Sequence, residues 1–276
     1  IGTKTFVGTT KTPGFKSNHV LSFTTAGQVP KASGTVLLLL PASFTEGPTA
    51  KFSMETPVAS FTTPGSNAAV ASSPFSGRTL TVTMLGTGSN VGLPQATVCV
   101  MQVTNVRTPS SIVATASTST ITTQDSAGKN VDTVADVDTD QIVAGALASV
   151  SFSSAAASTP GIAGLATVSF TTAGQQAVGG TVVVTFPTHT ESPQFGYVAD
   201  STTPVTLFTT PSDVTKPTAT GAFPTGAVLT LTTTGSNKLL QTTAYAFTIA
   251  DLRNPSSVVA ATTLSVATKD AADKVC

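Results

Sequence analysis

The chain has 276 residues, of which 40% are hydrophobic, 9% charged and 6% aromatic, and its 13 basic side chains balance 13 acidic ones at a pI near 6.9. Gripping a phosphate backbone requires a clustered basic surface. Thirteen Lys and Arg scattered from Lys4 to Lys274 do not make one, so nucleic acid is excluded as a partner. The longest purely apolar run, Val36 to Leu40, is five residues closed by Pro41. A helix needs roughly 20 to cross a bilayer, so no transmembrane segment is expected in this stretch of chain.

The opening Ile1-Gly2-Thr3-Lys4 shows neither an initiator Met nor a signal-type apolar stretch, which reads as the start of a processed chain and points to secretion. After it, apolar residues alternate with Ser and Thr at period two, the mark of strands with one buried face. Leu21 and Phe23 form the first such face, Val36, Leu38 and Leu40 the second, Leu80, Val82 and Met84 a later one, and Cys99, Met101 and Val103 another. Pro41, Pro64-Gly65, Gly86-Thr87-Gly88, Pro109 and Gly128 break the pattern between strands. The 54 Thr fit this setting, because a β-branched side chain suits a pleated sheet while its hydroxyl keeps the outer face wettable without charge.

The same elements then return. Ser22-Phe23-Thr24-Thr25-Ala26-Gly27-Gln28 recurs unchanged as Ser169-Phe170-Thr171-Thr172-Ala173-Gly174-Gln175. Thr12-Pro13-Gly14 matches Thr159-Pro160-Gly161, Gly34-Thr35-Val36 matches Gly180-Thr181-Val182, and Pro41 matches Pro187. Gly88-Ser89-Asn90 pairs with Gly235-Ser236-Asn237, Arg107-Thr108-Pro109-Ser110-Ser111 with Arg253-Asn254-Pro255-Ser256-Ser257, and Thr123-Gln124-Asp125 with Thr268-Lys269-Asp270. The offset drifts only from 147 (22 to 169) to 145 (123 to 268), so the copies are collinear. Each reads as about seven short strands over roughly 130 residues, the pattern of a β-sandwich. The expected organisation is a first sandwich over 1–131, an acidic linker over 132–145 and a second sandwich over 146–276.

In the expected linker, Asp132, Asp136, Asp138 and Asp140 fall within nine positions. Asp-x-Asp-x-Asp places successive carboxylates on one side of an extended segment, an arrangement of oxygen ligands that suits Ca2+. The competing reading is a solvated acidic linker, and the Gly and closing Glu of an EF-hand loop are missing.

Little else carries chemistry. Cys99 reads as a buried thiol acting as a small hydrophobe, and Cys276 as an exposed thiol open to cross-linking with another chain. His19 and His189 lack neighbours at ligand spacing and read as surface residues. Glu46, Glu55 and Glu191 are the only glutamates, and neither a nucleophile elbow nor a phosphate-cradling loop occurs. The repeated Arg107 and Arg253 motifs read as turns in which Pro fixes the chain and Arg bridges to Asp125 or Asp270 of its own domain, with a recurring contact site as the alternative. No Asn-x-Ser/Thr acceptor exists, so any sugar is O-linked, and Thr115 to Thr123 and Thr202 to Thr220 are permissive segments.

Carried by Ser22 to Gln28 with Gly34-Thr35-Val36, and by their copies at Ser169 to Gln175 with Gly180-Thr181-Val182, the pattern resembles the tandem Ig-like, fibronectin-III-like sandwich repeats of extracellular adhesins and surface fibres. The resemblance implies an all-β chain of two tandem Ig-like antiparallel β-sandwiches at the cell surface or outside the cell. The expected role is non-enzymatic: a homopolymer subunit of a filament, appendage or surface layer, joined by sandwich contacts or by strand addition through Ile1 to Thr12. An adhesin or glycan-binding module is the alternative, weakened by the absence of Trp and the presence of only Tyr197 and Tyr245, and a virion surface protein is a third reading.

Overall fold

A computed structural model of the chain describes residues 4–41, 52–54, 56–64, 68–86, 92–110, 112–113, 119–154, 159–187, 198–199, 206–225, 227–255 and 263–276. All regular structure among them is β, and no helix is present that is long and apolar enough to cross a membrane. The chain forms two compact units, Ile1–Val143 and Ala144–Cys276, each an all-β sandwich around its own hydrophobic core.

Unit 1 contains β1 (Thr5–Gly8), β2 (Lys16–Thr24), β3 (Thr35–Leu39), β4 (Ser53–Met54), β5 (Ala59–Thr63), β6 (Val70–Ser72), β7 (Phe75–Ser76), β8 (Thr79–Met84), β9 (Val98–Arg107), β10 (Ser119–Gln124) and β11 (Asn130–Thr139). Its strands run in the order β4-β9-β2-β1-β11-β10-β3-β8-β6, with β5 also on β9 and β7 also on β8. All pairings are antiparallel except that of β1 with β11, which is parallel and links the two layers.

Unit 2 contains β12 (Ala148–Ser154), β13 (Ala163–Thr171), β14 (Thr181–Thr185), β15 (Val198–Ala199), β16 (Thr206–Thr210), β17 (Thr218–Thr225), β18 (Val228–Thr234), β19 (Ala244–Arg253) and β20 (Ser265–Lys269). Among the described residues these strands form two separate layers. One runs β12-β13-β19-β15 with β16 on β19, and the other β17-β18-β14-β20.

The period-two faces are the cores. Leu21, Phe23, Val36, Leu38, Leu80, Val82, Met84, Cys99, Met101 and Val103 are buried in unit 1, as are Val168, Phe170, Val182, Val184, Leu229, Leu231, Tyr245, Phe247 and Ile249 in unit 2. Both copies also share a bulge that spacing alone does not reveal. The register of β9 on β2 shifts beside Asn105, and that of β19 on β13 beside Asp251, each residue standing at positive φ (59° and 54°). Asn and Asp tolerate this left-handed conformation better than most side chains, which explains their equivalent placement.

The identical heptapeptide has a structural task at its fourth residue. Thr25 Oγ1 donates to Pro94 O at 2.6 Å and accepts from Thr97 N–H at 3.1 Å, while Thr172 Oγ1 donates to Leu240 O at 2.5 Å and accepts from Thr243 N–H at 3.1 Å. Each hydroxyl thus satisfies a donor and an acceptor of the loop entering β9 or β19.

The expected boundary at residue 131 is placed differently. Residues 132–139, expected as the start of a linker, instead complete β11, because Val134 and Val137 both pack on the core of unit 1 and Thr139 is buried.

Replacing Thr172 with Val keeps the shape of the side chain and strands two partly or fully buried backbone groups. Urea unfolding should show unit 2 destabilised by about 1–3 kcal/mol. The same should hold for Thr25→Val in unit 1, and an unchanged midpoint would show that the bracket contributes nothing.

Candidate functional site

The polar residues singled out by the sequence gather mostly in unit 1, around β11. Asp132 lies at the start of the strand and turns its carboxylate onto the Ala26-Gly27 turn, accepting from both backbone N–H groups at 3.1 Å and from Thr123 Oγ1 at 3.3 Å. Asp140, just past the strand, accepts from Gly8 N–H at 2.6 Å and pairs with Lys11 at 3.3 Å. Lys4 Nζ donates to Ala135 O. These contacts tie β11 to β1 and to the turn after β2.

The four aspartates do not converge. Between Val134 and Val137 the register on β10 shifts, and Asp136 takes a positive φ of 61°. The bulge allows two valines three residues apart to pack on the same core, and it breaks the one-sided row of carboxylates expected from Asp-x-Asp-x-Asp. Asp136 and Asp138 are exposed, whereas Asp132 and Asp140 already bind protein donors. Among the described residues no three His, Cys, Asp or Glu side chains cluster so as to hold a metal ion, and this donor set does not fit Ca2+.

His19 is buried rather than on the surface, as its parity with Leu21 and Phe23 on β2 requires. Its ring centroid lies 5.0 Å from that of Phe6 and 5.9 Å from that of Phe52. Across the strand pair it faces Gly8, where a Cβ would meet the imidazole Nε2 at 2.6 Å, so the glycine provides room for the ring. Burial lowers the imidazole pKa from 6.5 to about 4, although the Asp140 carboxylate and a backbone hydrogen bond at Ser17 act in the opposite direction.

The repeated arginines clamp turns. Arg107 Nη1 donates to Gly14 O at 2.8 Å while Gly14 N–H donates to Pro109 O at 2.7 Å. In unit 2, Arg253 Nη1 donates to Gly161 O at 2.6 Å and Gly161 N–H to Pro255 O at 2.8 Å. Thr12-Pro13-Gly14 and Thr159-Pro160-Gly161 therefore recur because they are the other halves of the arginine motifs. Asp125 and Asp270, expected as arginine partners, use Oδ1 to cap their own turns, at Ala127 and Lys129 N–H and at Ala272 and Lys274 N–H.

Cys99 is fully buried, and burial raises its thiol pKa to about 11. Burial, with Asp270 nearby, raises that of Cys276 to about 12, which keeps the thiol protonated and a poor nucleophile. Tyr245 is a core residue whose phenol oxygen accepts from Leu240 N–H. His189, Glu46, Glu55, Glu191, Tyr197, Gly88 to Asn90, and the final Ser of each arginine motif lie outside the described residues.

No protein family and no curated protein matches the sequence. Among solved structures, the chain is similar to a type II cohesin dyad from the adaptor scaffoldin of Acetivibrio cellulolyticus, with 12% identity over 100% of this chain and 95% of that one and a TM-score of 0.25.

Two outcomes follow from the site. The unfolded state protonates its histidine near pH 6.5 and the folded state only near 4, so His19 stabilises unit 1 fully above pH 6.5 and progressively less as pH falls through this window. The loss approaches about 3 kcal/mol. Urea midpoints of the wild type should fall more steeply between pH 7 and pH 4 than those of His19→Phe, and parallel curves would remove His19 as the cause. Millimolar calcium should leave the melting temperature unchanged; a rise abolished by Asp136→Asn with Asp138→Asn and Asp140→Asn would contradict the geometry.

Proposed function

We propose that the chain is a non-catalytic structural subunit of an extracellular filament, appendage or surface layer, joined to its neighbours through sheet edges. Supporting this, the polar features repeated in both units serve their own backbone: the Thr25 and Thr172 brackets, the Arg107 and Arg253 clamps and the Asp125 and Asp270 turns. Much of the remaining outward surface is neutral Thr and Ser.

The observation that carries the reading is the edge strand β12. It has no charged residue over its seven positions, and Ala148 through Ser151 are exposed. Soluble β-proteins usually guard such an edge with lysines, inward charges or a covering segment. A chain with no net charge also lacks the long-range repulsion that keeps subunits apart.

Sedimentation velocity and electron microscopy of the full chain over a range of concentrations test this. Polymers that grow with concentration and are suppressed by Val150→Lys on the exposed edge are expected. A chain that stays monomeric at every concentration would count against self-assembly.

A further inference from the structure

β1 is a short strand with few fastenings. Of its four residues Phe6 alone is buried, and Val7 is exposed. It pairs with β2 over Thr5–Gly8 but meets β11 only where Thr5 faces Asp138 and Phe6 faces Thr139. Asp140 adds its bond from Gly8 N–H and its pair with Lys11, and Lys4 reaches Ala135 O. The core that holds the other strands together extends well beyond Phe6, through Phe23, Leu38, Leu80, Met101 and Ile121. A strand fastened by one buried side chain opens at lower free energy than the whole unit unfolds.

What β1 covers is His19. The Phe6 ring packs 5.0 Å from the imidazole, and Gly8 lies so close that a Cβ there would meet Nε2 at 2.6 Å. Phe52 closes the third side at 5.9 Å. Charge is sparse around the ring. β1 itself has no titratable side chain, and Ser53 and Met54 beside Phe52 have none. On β9 the residue opposite is Val103, with Arg107 further along, opposite Lys16 of β2. β11 contributes the exposed Asp136 and Asp138, and Asp140 beyond its end is the carboxylate that acts on the imidazole. Asp140 favours a charged ring, but burial outweighs it, and the burial comes largely from β1.

We propose that β1 is an acid-released strand, which leaves β2 and β11 as His19 takes a proton from solvent while the rest of unit 1 stays folded. The open form is rare at neutral pH and its share grows with acid. Opening bares the flanks of β2 and β11 and the seat of Phe6, so acid changes which sheet edges the chain offers. Unit 2 has the same strand without the trigger. Phe152 of β12 pairs with Val168 as Phe6 pairs with Leu21, and Ser154 faces Ala166 as Gly8 faces His19. A buried alanine has nothing to titrate. The inference concerns unit 1 alone and does not rest on the assembly reading.

Hydrogen exchange of the full-length chain, corrected for the intrinsic effect of pH on exchange, tests this. A ring that titrates at 6.5 when uncovered and near 4 when covered makes opening roughly 20-fold more favourable at pH 5 than at pH 7. Protection of the β1 amides should fall by that factor, while β3 and β8 of unit 1 and β12 of unit 2 keep theirs. His19→Phe should abolish the fall. So should His19→Ala combined with Gly8→Ser, which rebuilds the Ser154 and Ala166 pair of unit 2. No fall at β1, an equal fall across unit 1, a fall retained in the variants, or a β1 already unprotected at pH 7 would overturn the proposal. Should both variants fail to fold, the contrast within the wild type between β1 and the strands β3, β8 and β12 decides it.

Discussion

A β-strand directs alternate backbone donors and acceptors to its two flanks, and each flank must find a partner, a guard or water. With 9% of its residues charged, this chain has few guards to place. Its solution in unit 1 is a strand, β11, that pairs with β10 and β1 and links the layers. The acids that look like a loose charge cluster are the means of holding it. Asp132 anchors one end on the Ala26-Gly27 turn and Asp140 the other on Gly8, while Val137 fills the core between them.

That closure has a local cost, visible at His19. The ring packs with Phe6 and Phe52 where β1 meets β2, and Gly8 leaves space for it. Burying an imidazole favours its neutral form, so the point where β1 is fastened is also where unit 1 responds to acid. Asp140 ties β1 to β11 and partly offsets the burial of His19, which couples the strand closure to the histidine through one carboxylate.

Much of the architecture was legible because parity survives in the sequence. The faces Leu21/Phe23, Val36/Leu38 and Leu80/Val82 needed only the period of two, and the repeat doubled each observation. His19 shares the parity of Leu21, so its burial was also present in the pattern, masked by the usual surface preference of a histidine. β11 was less readable. Asp is a poor strand former, and Val134 and Val137 have opposite parity until the bulge at Asp136 puts both on the core. The arginine clamps were half legible: both partners recur in both copies, but 93 residues separate Arg107 from Gly14, and only the fold joins them.

The heptapeptide Ser22 to Gln28 and its identical copy separate what a sequence dictates from what its surroundings dictate. In both units the buried Phe and the bracketing Thr do the same work, because their partners recur with them. The Ala-Gly turn two residues further on does not. Its donors meet Asp132 in unit 1 and no described acceptor in unit 2, although the residues are the same. An identical turn presenting the same donors in both units retains the geometry to receive a carboxylate in both. The difference between the copies therefore lies in what surrounds the turn among the described residues, and not in the turn itself.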